Sequence, residues 1–390
     1  MHSSTGLLVE LGMVLLVLSL LAVLARRLAL SPVPLYLLAG LAIGDGGVVP
    51  TPAAGEFVEV GASIGVVLLL LALGLQFSYS EFNDSMRRHL PSAGVDFLLN
   101  ATPGAVAGWL LGLGWTGSLA LAGVTWVSSS GIVARLLNDL RRMGNRETPS
   151  VLAVLVLEDV AMALYLPLMT ILAAGGTWRQ AVFGVAAASG ALLLAFTASH
   201  RLGTSVDRML AGADTEQLLL RVFGLTLLVA GLFEFANASA AVGAFLVGLV
   251  LTGEVAERAR QVITPLRDLF AAVFFLAIGF TVDPRDLLPV LPAALLLALV
   301  TAGTKVVAGW YAAARDGAGP RGRLRAGTVL ITRGEFSLVI IGLTGMAGLL
   351  TSLATAYVIV LAVICPLATR FTGIAGPSPA ALQPRAVDPV

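Results

Sequence analysis

Apolar residues run along this chain in blocks of about twenty, separated by short stretches of Gly, Pro and charge. A helix rising 1.5 Å per residue needs about 20 such residues to cross the hydrocarbon core of a bilayer. The pattern predicts about thirteen spans, at roughly 6–25, 32–44, 56–78, 90–113, 116–138, 149–174, 179–199, 216–236, 238–256, 262–282, 287–314, 324–347 and 350–372. The second is short and broken by Pro34, with Gly44–Gly47 making the turn after it. The expected fold is an all-α polytopic membrane protein, because helices satisfy their own backbone groups in lipid.

Two of these spans are interrupted at similar depth. The fifth contains Thr125-Trp126-Val127-Ser128-Ser129-Ser130-Gly131, and the twelfth Thr332-Arg333-Gly334-Glu335-Phe336-Ser337. Ser, Thr and Gly let a backbone unwind while hydroxyls satisfy its freed groups. Each interrupted span follows one with a polar mark: Asp96, Asn100 and Pro103 in the fourth, Lys305 in the eleventh. The order of marked, broken and closing helix therefore occurs twice, at 90–174 and 287–372, starting on opposite membrane faces. An inverted repeat with discontinuous helices crossing at the midplane is the arrangement expected around an ion site.

Composition excludes a soluble domain. Only 12% of residues are charged, against about 25% in soluble proteins, and mean hydropathy is +0.93. The single cysteine, Cys365, offers neither a disulfide nor a metal cluster, so no cofactor is expected. Near-neutral net charge argues against nucleic acid as a partner. The first apolar run has no basic segment before it and continues to Ala25, which reads as a span and not as a cleaved leader. With the N-terminus outside, nineteen arginines fall on one side, and only Arg179 and Arg285 on the other. That positive-inside bias supports the alternation and predicts a cytoplasmic C-terminus. We expect a transmembrane exchanger domain over 1–372, its core helices at about 90–174 and 287–372. Residues 373–390, rich in Pro and Ala, are expected to form a disordered cytoplasmic tail.

The candidate chemistry sits in the sixth span, where Glu158 and Asp159 are adjacent. One acidic residue at a helix centre costs about 2.5–3.5 kcal/mol on insertion scales, so two together need a function. Neighbours on a helix point about 100° apart, so the two cannot serve one spot equally. We assign Asp159 to the ion and Glu158 to Lys305. Lys305 is the sole lysine beside twenty-three arginines, and lysine, unlike arginine, can give up its proton when desolvated. Thr125, Ser128, Ser129 and Ser130 are candidate cation ligands with Asp159. Arg333 and Glu335 read as a supporting local salt bridge, and Asp96 and Asn100 as structural. A buried carboxylate near an ammonium is a place where a proton and a cation compete.

At these residues the sequence resembles the monovalent cation:proton antiporter-2 family, over residues 6–372. SSSGIVARLL at 128–137 is similar to its broken-helix segment, and LEDVAMALYLP at 157–167 to its ion-binding helix. FFLAIGFTVD at 274–283 resembles its tenth span and TRGEFSLVI at 332–340 its second broken helix. The resemblance implies a transport core sliding against a dimerisation domain in a homodimer, with Asp159 as the shared cation and proton carboxylate. It implies a possible soluble cytoplasmic regulatory subunit, as in bacterial potassium/proton antiporters. Glu158 stands where glutathione-gated potassium antiporters usually carry Gln, and no fused nucleotide-binding domain follows, so glutathione control in cis is not expected. Sodium/proton antiporters with paired acids and a lysine keep sodium open. The expected function is potassium/proton exchange across a bacterial inner membrane, with sodium/proton exchange as the alternative. Two other classes were weighed: a non-transporting membrane sensor subunit, and an intramembrane aspartyl hydrolase. The hydrolase would need two Asp facing one another from different helices.

Overall fold

The computed structural model describes residues 2–28, 32–43, 55–75, 79–173, 214–235, 240–251, 253–345 and 348–374, with isolated positions at 175, 179, 180, 182, 186 and 190. The described residues form fourteen helices and no strand. In chain order they are α1 (His2–Leu28), α2 (Val33–Ile43), α3 (Gly55–Gly74), α4 (Tyr79–Leu110), α5 (Gly114–Trp126), α6 (Ser130–Asp139) and α7 (Thr148–Ala173). There follow α8 (Thr215–Phe235), α9 (Ala240–Val250), α10 (Gly253–Phe280), α11 (Pro284–Arg315), α12 (Pro320–Val329), α13 (Glu335–Thr344) and α14 (Leu349–Ile374). Among the described residues, seven helices are long and apolar enough to cross a membrane. Leu16 and Leu20 on α1, Leu228 on α8 and Leu296 and Leu299 on α11 are exposed, as lipid-facing side chains are.

Both expected breaks are present, between α5 and α6 and between α12 and α13. Other boundaries differ from the sequence reading. Pro34 does not break a span; it stands in the first turn of α2, where its missing N–H has no helical partner anyway. The division between the ninth and tenth expected spans lies at 251–253, with Gly253 at φ +58°, and not at 257–261. Residues 254–261 continue as helix outside the apolar part of α10, their charges solvated or paired, as Glu257 is with Arg260 at 2.6 Å. Likewise α4 begins at Tyr79, eleven residues before its apolar stretch, and carries His89 as a buried helical residue. The seventh expected span, 179–199, His200 and the tail from 375 lie outside the continuously described residues.

The helices pack in two groups. α2, α3, α8, α9 and α10 contact one another, with α1 against α2; α4, α5 and α7 pack with α11 to α14. At three helix contacts among the described residues, glycine faces glycine across the seam. A Cβ on Gly40 would lie 2.7 Å from Gly279 Cα, one on Gly74 3.0 Å from Gly248 Cα, and one on Gly309 2.6 Å from Gly327 Cα. These pairs join α2 to α10, α3 to α9 and α11 to α12, the close small-residue packing that lets helices associate in lipid. At the end where basic residues cluster, the second group is tied by Arg325–Glu147 at 2.8 Å and Arg88–Asp316 at 3.0 Å. Ser150 Oγ donates to the same Asp316, and Arg142 to the carbonyl of Thr369 at 3.1 Å.

Gly309→Ala is expected to destabilise the protein by about 1–3 kcal/mol, because backbone cannot retreat as a side chain can. Gly303→Ala, on the same helix with open space around it, is expected to be neutral or stabilising. Thermal unfolding of both variants in one detergent checks this; equal midpoints would refute it.

Candidate functional site

The breaks lie against each other. Val127 and Ser129 are extended (φ −70°, ψ 131° and φ −87°, ψ 106°), and the Ser129 N–H donates to the Thr332 carbonyl at 3.1 Å. Ser129 also caps α6, its hydroxyl accepting from the Ile132 N–H at 3.4 Å. Gly334 is needed opposite: a Cβ there would lie 2.6 Å from Ser129 Oγ. The crossing thus places two helix C-termini, of α5 and α12, and two N-termini, of α6 and α13, in one buried region. Carbonyl ends carry partial negative charge and N–H ends partial positive charge.

Arg333 answers the carbonyl ends. It is fully buried, and its guanidinium donates to the carbonyls of Leu330, Ile331 and Thr332, each at 3.2 Å, and of Thr125 at 2.6 Å. Its Nε donates to Tyr357 Oη at 3.2 Å, and that hydroxyl lies 2.8 Å from Thr301 Oγ1. The sequence reading gave Arg333 a salt bridge with Glu335, whose side chain lies outside the described residues; the described contacts of Arg333 are to four backbone carbonyls and the Tyr357 hydroxyl. A planar fork with five N–H groups serves several carbonyls where a point charge could not.

The ionisable group forms on the other side of the same break. Lys305 Nζ on α11 lies 2.8 Å from Glu158 Oε1 on α7. It also lies 2.7 and 2.9 Å from the two oxygens of Asp96 on α4. Glu158 accepts from the Ser128 N–H and, at 3.2 Å, from the Ser128 hydroxyl, so the unwound segment is attached to this carboxylate. Ser128 Oγ also reaches the Leu330 carbonyl at 3.0 Å, linking both breaks. Asp159 is buried beside Glu158. All four ionisable side chains, Asp96, Glu158, Asp159 and Lys305, are at most 4% exposed. A buried charge is tolerated only when paired and hydrogen-bonded, which Lys305 achieves through all three of its donors.

The sequence reading named Asp96 and took it as structural; the structure makes it a partner of Lys305. It carries two of the three Lys305 contacts, and also accepts from Asn100 Nδ2 at 3.0 Å and Trp126 Nε1 at 3.1 Å. The Trp126 ring is held edge-on between Phe97 and Tyr165, at centroid distances of 4.7 and 6.0 Å. The only signal in the sequence was that Asp96 and Asn100 sit one helical turn apart in a helix that ought to be apolar. Of the predicted cation ligands, Thr125 uses its hydroxyl within the α4–α5 contact, on the carbonyls of Asn100 at 2.8 Å and Leu121 at 3.0 Å. Ser130 is the first residue of α6 and half-buried.

Replacing Arg333 by Met is expected to strip buried carbonyls of their donor, at about 1–3 kcal/mol for each. Arg333→Lys should recover only part of the loss, because one ammonium cannot span both C-termini. Thermal stability of the purified variants is the measurement; an Arg333→Met protein as stable as the parent would overturn the carbonyl-capping role.

Comparison with known proteins places the chain in a family. The family model described as sodium/hydrogen exchanger, transmembrane, matches residues 13–374. The potassium/proton antiporter subunit KhtU of Bacillus subtilis is 30% identical over 373 residues, covering 93% of this chain and 92% of that protein. The ammonium/proton antiporter subunit AmhT of Alkalihalophilus pseudofirmus is 28% identical over 368 residues, covering 92% of each. In fold, the chain is similar to the sodium proton antiporter MjNhaP1 of Methanocaldococcus jannaschii, with a TM-score of 0.65 and 17% identity, over 95% of this chain and 97% of that one.

Proposed function

The chain belongs to the transmembrane sodium/hydrogen exchanger family and is a multi-pass cation/proton antiporter, and we propose that it works as a secondary transporter, not as an enzyme, with potassium as its exchanged cation. The observation that carries the reading is Asp159: a buried carboxylate beside Glu158, where the unwound segment of the first broken helix meets α7. In the proposed cycle Asp159 holds either a dehydrated cation or a proton. Backbone carbonyls and the oxygens of Thr125, Ser128, Ser129 and Ser130 are the further ligand candidates. An empty, charged carboxylate moving through hydrocarbon is too unfavourable to cross, so the core moves only when one ligand is bound. That makes the two fluxes obligatorily coupled, by alternating access. Glu158, held by Ser128 and Lys305, is the group that senses the change at its neighbour.

Potassium is favoured over sodium by the similarity to KhtU along nearly the whole chain. Sodium is the second reading, supported by paired acids with a lysine in the same site. KhtU is named as a subunit, which supports a partner chain here too; a soluble cytoplasmic regulatory one is the form we propose. We place the protein in a bacterial inner membrane as a homodimer, with its N-terminus outside and its arginine-rich face and C-terminus cytoplasmic.

In proteoliposomes, Asp159→Asn is expected to abolish cation-dependent proton movement, read by dequenching of a pH-sensitive dye. Persistent exchange in that variant would remove Asp159 from the mechanism. Across potassium, sodium, rubidium and lithium the wild type is expected to respond best to potassium and rubidium. A response to sodium and lithium alone would replace potassium with the second reading.

A further inference from the structure

Two carboxylates share one ammonium here, and their holds on it differ in kind. Asp96 grips Lys305 with both oxygens, while Glu158 offers one. The remaining contacts of the Asp96 carboxylate are also donors: the Asn100 amide at 3.0 Å and the Trp126 indole at 3.1 Å. Each of these hydrogen-bond partners presents hydrogen to Asp96, which is the environment of an ionised carboxylate, although the Glu158 carboxylate lies on the same ammonium. Asn100 is fixed in turn, its carbonyl oxygen accepting from Thr304 Oγ1 at 2.9 Å, one residue before Lys305. This clamp joins α4 to α11, which pack directly against each other. Glu158, by contrast, is also held by the Ser128 N–H at the break, and can leave the ammonium without leaving itself or Lys305 unpaired.

We propose that Asp96 is a positioning residue that holds Lys305 as a fixed cation throughout the transport cycle, so that one proton is exchanged for each monovalent cation with no net charge moved. If Lys305 gave up its proton, Asp96 and Glu158 would stand as two neighbouring anions around a neutral amine inside the bilayer. That arrangement is far worse than the paired one. With Asp96 in place, release of Glu158 leaves Lys305 still paired, and the exchange of proton for cation stays at Asp159. The inference rests on the antiporter reading above and adds its charge stoichiometry.

The test is the balance point of exchange in proteoliposomes: the cation gradient at which net proton flow is zero, with and without a 100 mV potential set by a permeant anion. One net charge per cycle would move that point roughly fifty-fold at 100 mV. The wild type is expected to show no shift. Asp96→Asn leaves Glu158 as the only counter-ion, and is expected to continue exchanging with a balance point that now shifts with potential. A shift of this size in the wild type, or an exchanging Asp96→Asn protein with none, overturns the proposal. Should Asp96→Asn fail to fold or to exchange, Lys305→Arg decides, because arginine cannot give up its proton. Exchange in that variant with an unshifted balance point supports a fixed cation, and its loss from a folded variant overturns it. Absence of any cation-driven proton flow in the wild type would instead sink the antiporter reading itself.

Discussion

An ammonium buried between two carboxylates is the constraint to which the rest of this molecule conforms. Lys305, Asp96 and Glu158 come from three different helices, α11, α4 and α7, and none would be acceptable in lipid alone. Satisfying them fixes the mutual rotation of those helices and leaves a definite place for the unwound Ser128 segment, whose N–H ends on Glu158. Arg333 performs the matching task for the carbonyl ends on the other side of the crossing. The two cations divide the labour: one neutralises side chains, the other backbone dipoles.

Much of the architecture was legible in the chain. Both helix breaks are visible as runs of Ser, Thr and Gly in otherwise apolar spans, and the lone Lys305 stands out among arginines. Family membership bears out the resemblance drawn from four short motifs in order. Helix ends were less legible, because hydropathy registers where lipid stops and not where hydrogen bonding stops. The charged beginnings of α4 and α10 are helical for reasons of backbone geometry that no hydrophobic pattern encodes.

Within the site the limit was of another sort. The sequence pairs Glu158 with Lys305, which lie 2.8 Å apart, yet it does not show that Asp96 meets the same lysine. Lys305 and Asp96 are 209 positions apart, and their pairing depends on α4 lying against α11. The guanidinium of Arg333 folds back onto carbonyls that any sequence would supply, so no side-chain pattern announces that contact.

The direction of Arg333 has a consequence for affinity. The helix ends at the crossing are held by that guanidinium, by the Ser129–Thr332 hydrogen bond and by Ser337 Oγ donating from α13 to the Val124 carbonyl at 3.0 Å, all of them protein groups. In the proposed cycle the transported ion is therefore not needed to keep the crossing assembled, and its binding free energy is not consumed in ordering a collapsed site. Such a preformed cradle can hold a cation weakly and still select it, and weak holding means rapid release. The design suits a carrier that turns over at cellular ion concentrations better than one that stores its cargo.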